Sequence, residues 1–247
     1  MKLVDALRRS LRHARWYLAW RTYLAMATRR KVHGIKIRAA APVDEEANRR
    51  ALDMVEAALH LIAQYDPRRM RRIVRDVEWI LITRTTYASA YYERDWKMCV
   101  INRSYLTDAG ASAAGTAATI VHEATHARLL ACGIPYDEPL RPRVEALCYA
   151  EGANFARRLP EGDRLAQEIL HTQPTASDHW SAERLGRRAS DSRQAAYADQ
   201  LKDLEAAELP GWIMRWLSKL VRTRAARDAR RDAPKDTITN CDSPERR

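Results

Sequence analysis

Ile120-Val121-His122-Glu123-Ala124-Thr125-His126-Ala127-Arg128-Leu129 sets two histidines four residues apart in a run that reads as a helix. Helix positions i and i+4 lie one above the other, so both imidazoles project from one face and can grip a single ion. Glu123 directly follows the first histidine, where its carboxylate can take a proton from water activated by that ion. Two neutral ring nitrogens and one neighbouring carboxylate are the working parts of a zinc hydrolase site. The flanks Thr119, Ile120, Val121 and Ala127 keep the helix uncharged around the ligands. Asp108 or Ser112 is suited to cap its start. Cys132-Gly133-Ile134-Pro135 stops it, with Gly133 as the left-handed residue and the proline just beyond. The plain alternative is a pair of hydrogen-bonded histidines on an ordinary core helix.

A catalytic zinc needs a third protein ligand and an open fourth position. Past the loop 133–142, the stretch Arg143 to Ala156 reads as a second helix and offers Glu145 and Glu151. Six residues along a helix is a turn of about 600°, which leaves the two carboxylates about 120° apart. They do not both serve one ion. Cys148, one turn from Glu145, is a further donor in reach, although a lone buried cysteine is more often a small apolar filler.

An H-E-x-x-H motif with a helical glutamate some twenty residues on resembles the zincin metallopeptidases of the gluzincin type; Glu145 lies 19 positions after His126. The segment Glu151 to Pro160 is similar to a stretch of the ImmA/IrrE-like metallopeptidases, which would favour Glu151. The run I-V-H-E-A-T-H-A-R-L with V-E-A-L-C behind it is most similar to uncharacterised bacterial zinc-peptidase-like proteins. The resemblance covers roughly residues 75–160. It implies an α+β, mainly helical fold, with a zincin-like active-site helix packed on a small sheet and flanking helices. It also implies Zn²⁺ held by His122, His126 and Glu145, with Glu151 as second choice, Glu123 as catalytic base, and a peptide or protein as substrate. Arg128 departs from it, standing where zincins keep an apolar residue, so the helix end is expected to be more exposed. Tyr149, Arg143, His171 and His179 are the candidates for stabilising the oxyanion.

Of the 247 residues 46% are apolar and 30% charged, enough for one domain with appendages and a real core. Four cysteines without paired spacing make no disulfide framework, which points to a reducing, cytoplasmic setting. The net charge of +11 is unevenly spread. Residues 1–38 carry 11 Lys/Arg against the single acid Asp5, whereas the rest is nearly balanced, 32 bases to 31 acids. That concentration argues against a nucleic-acid-binding domain. Residues 1–38 read as a basic arm, helical from about Leu3 to Thr28, with a stripe of Leu3, Leu7, Leu11, Ala14 and Leu18 thickened by Trp16 and Trp20. Such a helix either packs on the domain or lies in an anionic membrane surface. Arg21 interrupts its apolar run, so it does not span a membrane.

The metallopeptidase domain is expected over 39–221. Asp44 to Tyr65 has a 3.6-residue apolar period, and Val77 to Ile82 and Trp96 to Leu106 read as strands. A strand just before the metal helix would lie beside the cleft, where an open edge pairs with an extended peptide. Helices are expected at 163–172, 182–208 and 212–221, and disorder from Arg222 to the end. Two readings of other classes stand beside the enzyme. One is a non-catalytic, zinc-stabilised binding or regulatory protein whose fourth metal position is closed by Cys148 or Glu151. The other is a membrane-surface adaptor built on the basic arm.

Overall fold

Alternating side chains sort the strands into an inner and an outer face. The computed structural model describes residues 27–39, 45–84, 88–137, 139–173 and part of 211–226. The five strands are β1 (Thr28–Val32), β2 (Ile35–Ala39), β3 (Trp79–Thr83), β4 (Ala90–Glu93) and β5 (Met98–Asn102). They form one mixed sheet in the order β1-β2-β3-β5-β4. The central pairs β2–β3 and β3–β5 are parallel, and the outer pairs β1–β2 and β5–β4 are antiparallel. Ile35, Ile37, Ile80, Ile82, Cys99 and Ile101 point inward and are buried. The alternate residues Leu81, Met98 and Val100 form a second apolar cluster with Trp79, Tyr91 and Trp96 on the outer face.

Six helices complete the described fold: α1 (Glu45–Tyr65), α2 (Pro67–Asp76), α3 (Arg103–Thr107), α4 (Ala113–Ala131), α5 (Arg141–Ala156) and α6 (Gly162–Thr172). The fold is therefore α+β and mainly helical, with the histidine-bearing α4 packed beside a small sheet. α1 presents Leu52, Val55, Leu59 and Ile62 to the inner face, and α4 adds Ile120, Val121 and Ala124. Each fully buried Leu or Ile contributes roughly 1.5–3 kcal/mol, so this one seam holds the layers together. Among the described residues no helix is long and apolar enough to cross a membrane.

Several boundaries differ from the sequence reading. Residues 28–38, assigned there to the basic arm, form the β1–β2 hairpin. Its two-residue turn, His33-Gly34, has both φ values positive (48° and 95°), which matches the right-handed twist of the strands. Five of the arm's bases, Arg29, Arg30, Lys31, Lys36 and Arg38, thus belong to the sheet, and the body is not the near-neutral unit expected. The remainder of the proposed arm, including its membrane-facing stripe, lies outside the described residues, as does the helix expected at 182–208. The strand expected over 96–106 is shorter at both ends. Lys97 is left-handed (φ 45°), closing a single 3-10 turn over Arg94–Trp96. The Asn102 side chain accepts the Ser104 N–H and starts α3. Past Arg222, where disorder was expected, the described positions 223, 225 and 226 are helical.

Candidate metal centre

α4 begins where the Ser112 hydroxyl, not Asp108, accepts the Gly115 N–H at 3.0 Å. It ends at Cys132, followed by the left-handed Gly133 (φ 78°). Between these stops the helix runs against α5 at unusually short range. A Cβ on Gly152 would lie 3.2 Å from the Ala118 carbonyl oxygen. Arg128, at the end of α4, is exposed.

The close approach brings four donors together. His122 Nε2 and His126 Nε2 are 3.2 Å apart. Glu145 reaches across from α5, its Oε2 3.3 Å from His122 Nε2 and its Oε1 3.5 Å from His126 Nε2. Bonds of 2.0–2.1 Å in a tetrahedral zinc site put neighbouring nitrogen and oxygen donors about 3.3–3.4 Å apart; the two rings are close to that spacing, and the carboxylate completes the triangle with a different oxygen toward each ring. Cys148, one turn along α5, is fully buried. Its Sγ and ring nitrogens of His122 and His126 all lie within 4.8 Å of one another, so the His/His/Cys group can bind a metal ion.

Electrostatics prepares these donors. Burial lowers the His126 pKa to about 4, against a weaker upward pull from Glu145, so the ring is neutral and ligand-ready at pH 7. For His122 burial also works downward, but the hydrogen bond it donates to Glu145 and the Glu123 charge outweigh it and the net shift is upward. Glu145 is the reverse case: burial would raise its pKa, and the two histidines with Tyr136 bring it below the usual carboxylate value. Burial, then the Glu145 charge, pushes the Cys148 thiol upward.

Glu123 leaves the triangle and turns toward the sheet. It is buried, and its carboxylate accepts a hydrogen bond from the Tyr92 backbone N–H on β4. Desolvation is the main reason its pKa rises to about 7, with His122 opposing and Glu145 adding to the rise. A carboxylate poised near neutrality suits a group that accepts a proton and returns it.

Two tyrosines wall the site. Tyr149 sets its ring edge-on to His122, with centroids 4.8 Å apart, and Tyr136 does the same to His126 at 5.2 Å. The Tyr136 hydroxyl also donates to Glu145. Burial and the Glu145 charge push the Tyr136 pKa upward, so it stays a protonated donor. The Arg141 guanidinium lies over the same ring, 5.1 Å from its centroid.

Of the residues singled out from sequence, His122, His126, Glu145, Glu123, Cys148 and Tyr149 converge. Glu151 does not: its carboxylate is engaged by Arg69 of α2, as the 120° helical offset from Glu145 anticipates. Arg143 and His171 are exposed, and His179 lies outside the described residues. Sequence reasoning missed Tyr136, whose only signal was a place in the loop bounded by Gly133 and Pro142. It also missed β4, a four-residue edge strand rather than the longer strand expected nearer α4. No protein-family model matches the chain, and neither does any curated protein or solved structure, so the site is read from its own residues.

Proposed function

We propose that the protein is a zinc-dependent metallopeptidase, with His122, His126 and Glu145 as the zinc ligands and Glu123 as general base. The observation that carries this reading is the 3.2 Å pair of ring nitrogens, with one Glu145 oxygen 3.3 Å from His122 and the other 3.5 Å from His126, and the buried Glu123 beside it. A bound zinc supplies Lewis acidity toward a carbonyl and toward water. Glu123 accepts the proton of the attacking water and delivers it to the leaving amine. Tyr149, a protonated phenol at the rim, is the donor available to the oxyanion, since the Tyr136 hydroxyl already donates to Glu145. Of the other candidates from sequence, Arg143 and His171 are exposed, and His179 lies outside the described residues.

The edge of β4 supports a peptide as substrate. The Asn102 N–H donates to the Ser89 carbonyl at 2.8 Å, and alternation along an antiparallel ladder then turns the polar groups of Ala90 and the Tyr92 carbonyl away from β5, the Tyr92 N–H being taken by Glu123. An extended chain paired to that edge runs past Glu123 and the histidines. The unpaired cysteines Cys99, Cys132 and Cys148 suit a cytoplasmic setting.

The test uses the purified full chain, metal analysis and cleavage of a mixed peptide library read as newly formed amines. One zinc per chain is expected. Glu123→Gln should retain that zinc while cleavage falls by about 10²–10⁴, the range for a lost general base. Equal cleavage by the variant, or no stoichiometric zinc, overturns the proposal.

A further inference from the structure

We infer that Cys148 is a fourth donor to the metal, so that a closed His₂–Glu–Cys form competes with the open form and holds cleavage down several-fold. The inference rests on the zinc site proposed above and deepens it, since it concerns how that site is regulated. Glu145 and Cys148 are spaced i and i+3 on α5 and face the two histidines of α4 from one side. Glu145 comes within 3.5 Å of both ring nitrogens. The sulfur lies within 4.8 Å of the ring nitrogens, against about 3.6 Å for a nitrogen and a thiolate on one tetrahedral zinc with bonds of 2.0–2.1 and 2.3 Å. Two helices thus offer four donors around the ring pair, Glu145 by its oxygens and Cys148 within 4.8 Å of a nitrogen of each ring, the number that fills a structural zinc site, whereas a catalytic site has three. The other two described cysteines lack this setting. Cys99 sits in the core against the sheet, and Cys132 is exposed at the end of α4.

On closure the Cys148 S–H bond breaks, a metal–sulfur bond forms, and the proton passes to solvent, one per site. Opening reverses this: the sulfur regains a proton and the fourth position is free for water or substrate. No electrons move in either direction. The restraint then comes from coordination rather than from a covering segment.

The full chain loaded with cobalt(II) in place of zinc tests this by absorption. One cobalt per chain with a near-ultraviolet thiolate-to-cobalt band is expected, and the band should vanish in both Cys148→Ala and Cys148→Ser while one cobalt still binds. The serine variant nearly keeps the side-chain volume and guards against a loss that reflects only a core cavity. Zinc-loaded Cys148→Ser should cleave the peptide library several-fold faster than the parent chain. Stoichiometric cobalt without the band, or a band that survives in both variants, overturns the fourth-donor assignment and leaves the metal site standing. No stoichiometric cobalt in the parent chain overturns both.

Discussion

The backbone N–H of Tyr92, on the edge strand β4, donates a hydrogen bond to the carboxylate of Glu123, on α4. This bond fixes one acceptor site of the carboxylate and ties the sheet edge to the helix that carries both histidines. It also occupies an N–H that the β4–β5 ladder leaves facing outward. The Tyr92 amide is therefore expected to exchange slowly with deuterium although it lies on an edge. Protection should persist in Glu123→Gln, whose amide oxygen still accepts, and fall by about tenfold in Glu123→Ala, the equivalent of one ordinary hydrogen bond. Residue-resolved exchange checks this without any reference to activity.

The two glutamates of α5 are expected to separate cleanly. Glu145→Ala removes a donor 3.3 and 3.5 Å from the two ring nitrogens and should weaken zinc binding by at least about 100-fold, the upper end of what losing even an outer-layer partner costs. Glu151→Ala breaks an ion pair with Arg69 and should leave zinc affinity unchanged within about threefold, while lowering stability by less than about 1 kcal/mol for a part-exposed pair. Competition titration with a chromogenic chelator measures both affinities.

Tyr136→Phe keeps the ring against His126 and removes only the hydroxyl that donates to Glu145. Partners that hydrogen-bond a ligating carboxylate typically contribute 10–100-fold to metal affinity. A fall of about tenfold in zinc affinity is expected, with the melting temperature of the metal-free chain little changed. Equal affinity in the two proteins would assign Tyr136 to packing alone.

Acid stability should report Asp66, the N-cap of α2. Burial works to raise its pKa, but the Arg69 N–H at 2.9 Å, the Arg69 guanidinium and the Arg158 charge prevail, and the folded value lies below the ordinary 3.8. A depressed carboxylate stabilises the fold above its unfolded pKa, and that contribution is lost as pH falls through the folded value. At pH 7 Asp66→Asn, which can still cap, should be less stable by ~1–2 kcal/mol. The gap should begin to narrow as pH falls below the ordinary 3.8 and close once pH is under the lowered folded value, where both side chains are neutral. Urea midpoints from pH 7 down through that range give the comparison.

The helices and the histidine pair were legible because their signals are local. Ala47, Ala51, Leu52, Val55, Ala58, Leu59 and Ile62, the period-3.6 set of α1, are all buried. The i,i+4 spacing alone brings His122 and His126 together. Glu145 and Glu151 needed the third dimension, since helical angle separates them but only packing says which one faces α4. The β1–β2 hairpin was hidden by composition. Its outer positions are Arg and Lys, set opposite one another as Arg29 with Arg38 and Lys31 with Lys36, so the stretch reads as a charge run although Val32, Ile35, Ile37 and Ala39 alternate beneath it. Helix α2, P-R-R-M-R-R-I-V-R-D, was obscured in the same way, with only Met70 and Ile73 buried. Tyr136 carries no local signal at all, because its partner Glu145 is nine residues away on another element.

At Gly152 a bare α-carbon faces the Ala118 carbonyl, and a Cβ there would lie 3.2 Å from that oxygen, so the helices that carry the histidines and Glu145 would have to give by a few tenths of an ångström. The bite offered to an ion is therefore gauged by main chain resting on main chain. In the proposed metal site, discrimination by ionic radius would then fall in part to a position that contributes no ligand, no charge and no side chain.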